Sequence, residues 1–401
     1  MPAPLRATVL VTDGAQRASL AAVRSLGAAG CDVHVVSASG KSLAGASRHA
    51  RAEYRITDPL QSDAAFADEL QRIASRIDAD VIIPIAEPSL LALLPRRAMF
   101  GRARIPFVEA DVFARIADKQ RVLAAAAESG IAVPEQTVIA HASGAAELDL
   151  DALRYPIVVK PARSVAGEAS ARIKVGVEHA ADAESLRRVL DGMDPRAYPL
   201  LLQQRVVGPG IGVFLLLWEG EVLGAFAHRR LREKPPSGGV SVYRESAPLD
   251  AELLDRSRAL LERFGWSGVA MIEYKIDAAT GTPYLMEING RFWGSLQLAI
   301  DAGVDFPTLL VRAALGEHPK PVTSWRLGVQ SRWFWGDVDH LLAMFRRTPE
   351  ELALPAGAPG RAATLGSFLL PRRGDREEIF RVSDPRPFLR ESAQWLRDLR
   401  H

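Results

Sequence analysis

The apolar positions of the chain fall into two regimes. Near the amino terminus short apolar runs, Ala7–Val11, Asp32–Val36 and Val81–Ile85, alternate with stretches at helical spacing, Ala18–Leu26, Ala64–Ile77 and Ser89–Leu94. That alternation predicts an open parallel sheet with helices on both faces, Rossmann-like in layout. From about residue 155 strands joined by turns take over. Tyr155–Lys160 reads as a strand, Leu200–Gly208 as a strand passing into a turn at Gly208–Gly212, and Phe214–Trp218 and Glu221–Phe226 flank a turn at Gly220. Val269–Ile276 and Tyr284–Ile288 flank a connection holding Asp277, Thr280, Gly281, Thr282 and Pro283, the pattern of an antiparallel hairpin. Between the regimes Asp111–Gly130 is Ala-dense and helical. After Gly303 come a helical Pro307–Leu315, an aromatic-dense Trp325–Phe345, a Pro/Gly/Ala linker at Leu354–Gly360 and an amphipathic Phe388–Leu399.

The last hairpin carries the sharpest chemistry. If Ile276 pairs with Tyr284, Glu273 stands opposite Glu287, with Cβ atoms about 5 Å apart, where like charges repel. A cation resolves the conflict. Glu287 and Asn289 share a strand face, and Arg291 joins them if the chain stays extended. Two carboxylates and an amide oxygen suit Mg²⁺, which completes its octahedron with phosphate oxygens and water. The alternative is an exposed hairpin whose polar face happens to carry two glutamates.

Composition narrows the field. A chain of 401 residues, 48% apolar and 24% charged, is ordinary globular material with room for two or three domains. A net charge of +2 makes no case for nucleic acid, and the single Cys31 excludes an internal disulfide or a cysteine-based zinc cluster. No apolar run approaches membrane-spanning length, and the first residues, MPAPLRATVLVTDG, lack a signal-like apolar core, so a cytoplasmic protein is the expectation. Only seven of the 50 cationic residues are Lys, which makes each lysine informative.

Several further positions carry candidate chemistry. The turn Asp13–Arg17 lacks the three-glycine dinucleotide fingerprint, which disfavours NAD, although Asp13, Gln16, Arg17 and Glu87 fall where strand ends open into a crevice. Helix capping is an equal reading for Asp13. Lys119 follows Asp118 at a helix start, and Lys160 ends a strand before the loop Ala162–Gly167; each reads as a phosphate contact or as an exposed lysine. Alternation puts His228, Arg230 and Arg232 on one face, beside the loop Glu233–Gly239 and the following Tyr243-Arg244-Glu245. That cluster suits an anionic substrate, or is a solvated basic strand.

Lys119, Lys160, Gln203–Val206, Glu273 and the run Glu287-x-Asn289-x-Arg291 occur in an order and spacing that resembles the ATP-grasp superfamily, over residues 116–318. The resemblance implies an α/β and α+β chain: a Rossmann-like domain at 1–115, a two-lobed ATP-grasp domain at 116–318 with lobes 116–200 and 201–318, and a small carboxyl-terminal extension at 319–401. It implies ATP and Mg²⁺, with Mn²⁺ as a substitute. Lys119 and Lys160 resemble the phosphate lysines, Gln203, Gln204 and Val206 the adenine-reading hinge, Glu273, Glu287 and Asn289 the metal ligands, and Arg291 and Lys160 the catalytic cations. The activity implied is an ADP-forming ligase joining a small-molecule carboxylate to an amine through an acyl phosphate, with Arg230 and Arg244 as substrate anchors. A biotin carboxylase-like carboxylase and a non-catalytic Mg-ATP-binding module are the alternatives. The partners expected are small molecules, without nucleic acid or a membrane span, and a homodimer is compatible with the resemblance.

Overall fold

A computed structural model describes residues 4–167, 172–349, 351–352, 354, 357–370 and 374–399. The amino-terminal sheet is parallel throughout, in the order Ala50–Arg55, Asp32–Ser37, Thr8–Val11, Val81–Ile83. Its central strands are buried, as parallel strands covered by crossover helices must be. The edge strand Ala50–Arg55, ARAEYR, has no apolar run, and its burial is mostly partial. Polarity is tolerated there because one flank faces no strand.

Two larger sheets follow, beside a two-stranded pairing of Val165–Ala166 with Ile173–Lys174. The smaller is antiparallel, in the order Gln136–Ile139, Leu200–Gln204, Ile157–Pro161, Glu178–Ala180. It forms a small lobe with an apolar core of its own, built around Ile139, Ile157, Val159, Leu186, Leu200 and Leu202. The larger has seven strands, in the order Pro283–Asn289, Gly268–Ile276, Gly210–Trp218, Glu221–Lys234, Val240–Ser246, Gln330–Arg332, Arg376–Glu377. Its core is continuous with that of the amino-terminal domain.

Three expectations about boundaries change. Leu200–Gln204 pairs inside the small lobe, so the break between lobes lies after Gln204 and not at residue 200. The helix Lys119–Glu128 packs Val122 and Leu123 into the main core, so it belongs with the large body. The extension at 319–401 is no appendage, because it contributes two strands to the seven-stranded sheet. Glu378, just past the last of them, is buried and accepts from Arg17 Nη1 at 2.6 Å and from Arg244. Arg24 Nε donates to Asp384 at 2.9 Å. These pairs weld the extension to the first domain. The aromatic stretch forms the seam: Trp335 stacks on Trp395 at 4.0 Å, and Trp333 Nε1 donates to Glu391. Of the expected linker Leu354–Gly360, residues 355 and 356 lie outside the described residues. Among the described residues no helix is long and apolar enough to cross a membrane.

Candidate active site

One face of the large sheet forms the floor of a cavity of about 1310 Å³, which the small lobe, the first domain and the helix Arg386–Asp398 also line. On the strand Gly268–Ile276 the alternating residues Met271, Glu273 and Lys275 point into it, and from the neighbouring strand come Glu287 and Asn289.

Glu273 does pair with Glu287, as do Met271 with Asn289 and Ile272 with Ile288. Beyond Glu273 the register slips, and Ile276 meets Pro283 rather than Tyr284. A bulge at Met286 absorbs the extra residue. The expected opposition of the glutamates therefore holds at the pair itself, while the pairing from which it was deduced does not.

The protein itself neutralises these acids. Arg230 Nη2 donates to Glu273, Lys119 Nζ lies 3.4 Å from Glu287, and Asn289 Nδ2 donates to Glu287 at 2.9 Å and to Glu273 at 3.3 Å. Repulsion between the glutamates thus does not by itself demand a metal, contrary to the expectation from sequence. The two carboxyls differ in state. Burial raises both, but at Glu287 it is outweighed by Lys119, the Asn289 amide, Lys160 and Arg291, which bring it to about 2. At Glu273 burial prevails over Arg230, and its carboxyl sits above the usual range. Among the described residues no three His, Cys, Asp or Glu side chains cluster to hold a metal alone, so a cation here would share its ligands with phosphate.

Around this pair the phosphate candidates converge. Lys119, capped by Asp118 at its helix start, donates from Nζ to Ser164 at 2.8 Å. Ser164 lies in the loop after Lys160, whose continuation at Glu168–Ala171 lies outside the described residues. Lys160 lines the cavity with Nζ 4.0 Å from Sδ of Met286. Burial lowers its ammonium to about 8, with Glu287 opposing and Lys119 adding to the shift. Arg291 Nη2 donates to Asn289 Oδ1 at 3.0 Å, which holds it beside the acids. Glu87 of the first domain belongs to the same group: burial raises its carboxyl against the pull of Arg291 and Lys119.

At the hinge, Gln203 is 1% exposed, donates to Gln136 at 2.9 Å, and leaves Oε1 buried without a partner in the cavity wall. An orphaned acceptor there fits a purine amino group. Gln204 commits its N–H to Glu135 O at 2.8 Å, and both Gln204 and Val206 line the cavity.

The two substrate anchors part company. Arg230 lies in the cavity wall, tied to Glu233 and Glu273. Arg244 is fully buried away from the cavity, donating to Ser241 O at 3.0 Å and to Glu378, so it serves the weld to the extension and not a substrate. Arg232 also leaves the predicted face. The strand bulges between Arg230 and Arg232, and Arg232 pairs with Asp337 at 2.6 Å. Asp13 is a cap: its carboxylate accepts from Ser89 Oγ at 2.8 Å and Ala86 N at 2.9 Å. Gln16 and Arg17 do line the cavity.

Two wall elements escaped sequence reasoning. Gly210 and Gly212, which the sequence places in a turn, stand on a strand of the sheet that supplies the floor. Glu391 and Gln394, on the amphipathic last helix, line the far end, and nothing in their local pattern separates them from surface residues.

A family model described as an ATP-grasp in the biosynthetic pathway with Ter operon matches residues 196–335. The chain has the ATP-grasp fold. Among solved structures, an L-amino acid ligase from Bacillus licheniformis is similar at a TM-score of 0.61 and 18% identity, covering 80% of this chain and 76% of that one. An N5-carboxyaminoimidazole synthetase from Staphylococcus aureus is similar at 0.61 and 16%, covering 82% of each chain. The biotin carboxylase domain of a Hydrogenobacter thermophilus 2-oxoglutarate carboxylase, solved with MgADP, ADP and bicarbonate, is similar at 0.61 and 17%, covering 81% and 73%. No curated protein sequence matches the chain.

Proposed function

We propose that the chain is an ADP-forming ligase that activates a small-molecule carboxylate as an acyl phosphate and joins it to an amine. The observation that carries this reading is the in-register Glu273–Glu287 pair, with Asn289, Arg291, Lys119 and Lys160 gathered on it in one cavity between the lobes. Glu273, Glu287 and Asn289 would hold Mg²⁺, the amide turning its oxygen inward, a half-turn that leaves its shape unchanged. The ion would supply charge neutralisation on the polyphosphate.

In the first step a carboxylate oxygen of the substrate attacks the γ-phosphorus of ATP, and the bond to the ADP oxygen breaks. Lys119, Lys160 and Arg291 face the oxygens on which charge gathers, so positioning and electrostatics carry the step without a protein nucleophile. In the second step the amine nitrogen bonds to the acyl carbon, phosphate leaves, and the nitrogen loses a proton. Gln203 Oε1 and the hinge hold the purine. Arg230, held between Glu233 and Glu273, is the substrate-side cation.

The test is purified protein with Mg-ATP and a panel of acids and amines. Release of ADP and phosphate that needs both co-substrates is expected; AMP with pyrophosphate would refute the reading. Bicarbonate-dependent ADP release without an amine would indicate a carboxylase instead. Glu287→Gln keeps the shape but not the charge, so it should reduce turnover by about a hundredfold or more; it also removes the counter-charge of Lys119 and lowers the melting temperature, so turnover is read well below that temperature, where the variant is folded. Turnover retained in that variant would remove the metal assignment.

A further inference from the structure

One polar side chain in the cavity wall has no role in the scheme above. His228 is fully buried and lines the cavity, yet neither ring nitrogen has a hydrogen-bond partner. Buried polar atoms are nearly always satisfied, so a fully orphaned imidazole beside a reaction centre points to a ligand.

Its place in the sheet says which part of a ligand. Gly212 pairs with His228 on one side and with Glu273 on the other, and Glu273 pairs with Glu287. The four residues form one row across four strands. Strands lie about 4.8 Å apart, so His228 stands two strand spacings from the first glutamate, with only a glycine between. A Cβ on Gly212 would come within 2.8 Å of the imidazole Nε2 and 2.5 Å of Phe214 Cζ. The ring therefore leans over the gap that Gly212 leaves, and packs edge-on against Phe214 at 4.8 Å. Gly210, two residues along the same strand, makes similar room for Arg230, whose Cδ lies 3.0 Å from the corresponding Cβ position. Arg230 uses that room to reach Glu273. His228 shares the space over Gly212 with the edge of Phe214, and neither of its ring nitrogens has a protein partner there.

We propose that His228 is a substrate-contacting residue, donating an N–H across the Gly212 gap to the carboxylate oxygen that is not phosphorylated. This rests on the ligase reading. An anion is favoured over the amine because Arg230, two residues along the same strand and in the cavity wall, pairs with Arg244 on the next strand, which puts two guanidinium-bearing residues on that side of the ring. Burial and those two guanidiniums hold its pKa well below the usual value, so the ring stays neutral and keeps one donor and one acceptor nitrogen. While the other oxygen forms its bond to the γ-phosphorus and ADP departs, the oxygen held by His228 becomes the acyl carbonyl. When the amine adds to the acyl carbon, negative charge gathers on that same oxygen, and the N–H stabilises it until phosphate leaves.

The experiment uses the full chain with Mg-ATP, hydroxylamine as nucleophile and the twenty proteinogenic amino acids as acid donors, with hydroxamate as the first readout and the affinity for fluorescent mant-ADP as the second. His228→Phe should lower kcat/KM for the acid by about tenfold to a hundredfold, with mant-ADP affinity within about twofold of the parent. His228→Gln, which restores an N–H donor, should recover part of the loss. A Phe variant equal to the parent, a Gln variant no better than Phe, or nucleotide affinity falling in step with activity would each overturn the contact. Absence of acid-dependent hydroxamate from the parent protein itself would instead remove the ligase reading, and this contact with it.

Discussion

Lys160 shows how much a single side chain's surroundings decide. Buried among Lys119 and Lys275, with Glu287 as the counterweight, its ammonium loses its proton at about 8. It is charged below that pH and neutral above it, so its hold on a polyphosphate weakens as pH rises. For the parent protein kcat/KM for Mg-ATP should fall by about tenfold between pH 7 and pH 9, because this ratio reports groups in the free enzyme. Lys160→Met should be low and flat over the same range, and a parent profile without the limb would show that the lysine does not meet phosphate. At this scale the sequence was most readable where chemistry repeats in a fixed pattern: Glu273, Glu287, Asn289 and Arg291 stand together as their spacing suggested. Arg244 was misread because its partner Glu378 lies 134 residues away, and no local pattern announces such a pair.

Between residues and lobes stand the strands and their irregularities. The segment joining the small lobe to the large sheet passes Gly208 at φ 155°, and a Cβ there would lie 1.8 Å from the carbonyl oxygen of Ile276. Backbone cannot move aside as a side chain tip can, so Gly208→Ala should cost about 1–3 kcal/mol or more in a urea titration and weaken nucleotide binding with it. An unchanged midpoint would mean that the hinge relaxes freely. Alternation alone predicted most strands and the large-sheet hairpins, since one buried and one open face impose a period of two. It could not show the slips at Met286 and after Arg230. A bulge adds one residue without altering composition, so its cause lies in neighbouring strands. The polar edge strand Ala50–Arg55 was invisible for a related reason: an edge needs little apolar surface.

Across the whole molecule, a buried group of acids sits where the last helix meets the large sheet and the first domain. Burial is the main cause raising Glu377 and Glu391 to about 7; Glu378 adds to both and Glu391 to Glu377, against the Phe334 and Ile379 N–H donors at Glu377 and Trp333 at Glu391. A carboxyl whose folded pKa lies above its unfolded value favours folding while it keeps its proton, and that contribution is lost as pH climbs from the ordinary carboxylate range through about 7. The junction should therefore be weaker at pH 8 than at pH 5. Glu391→Gln keeps an acceptor for Trp333 Nε1 and carries no charge, so its melting temperature relative to the parent should be more favourable at pH 8 than at pH 5. Equal differences at the two values would place the source of any pH sensitivity elsewhere. Strand and helix order made the parallel domain and the two-lobed body legible, whereas the weld by the extension depends on contacts between the two ends of the chain, which periodicity does not encode.

The small lobe has an apolar interior of its own, and it meets the larger body through Leu201 and Ala162, which pack in the main core, through Lys119 N–H donating to Ala162 O at 2.8 Å, and through Arg172 on Asp63 at 2.6 Å. A swing of that jaw would part these contacts while leaving its own interior intact, so its resting angle balances them against whatever lies in its grip. On the ligase reading, the jaw would tighten on an incoming triphosphate and slacken once that charge has been divided, with the cargo itself setting the rhythm.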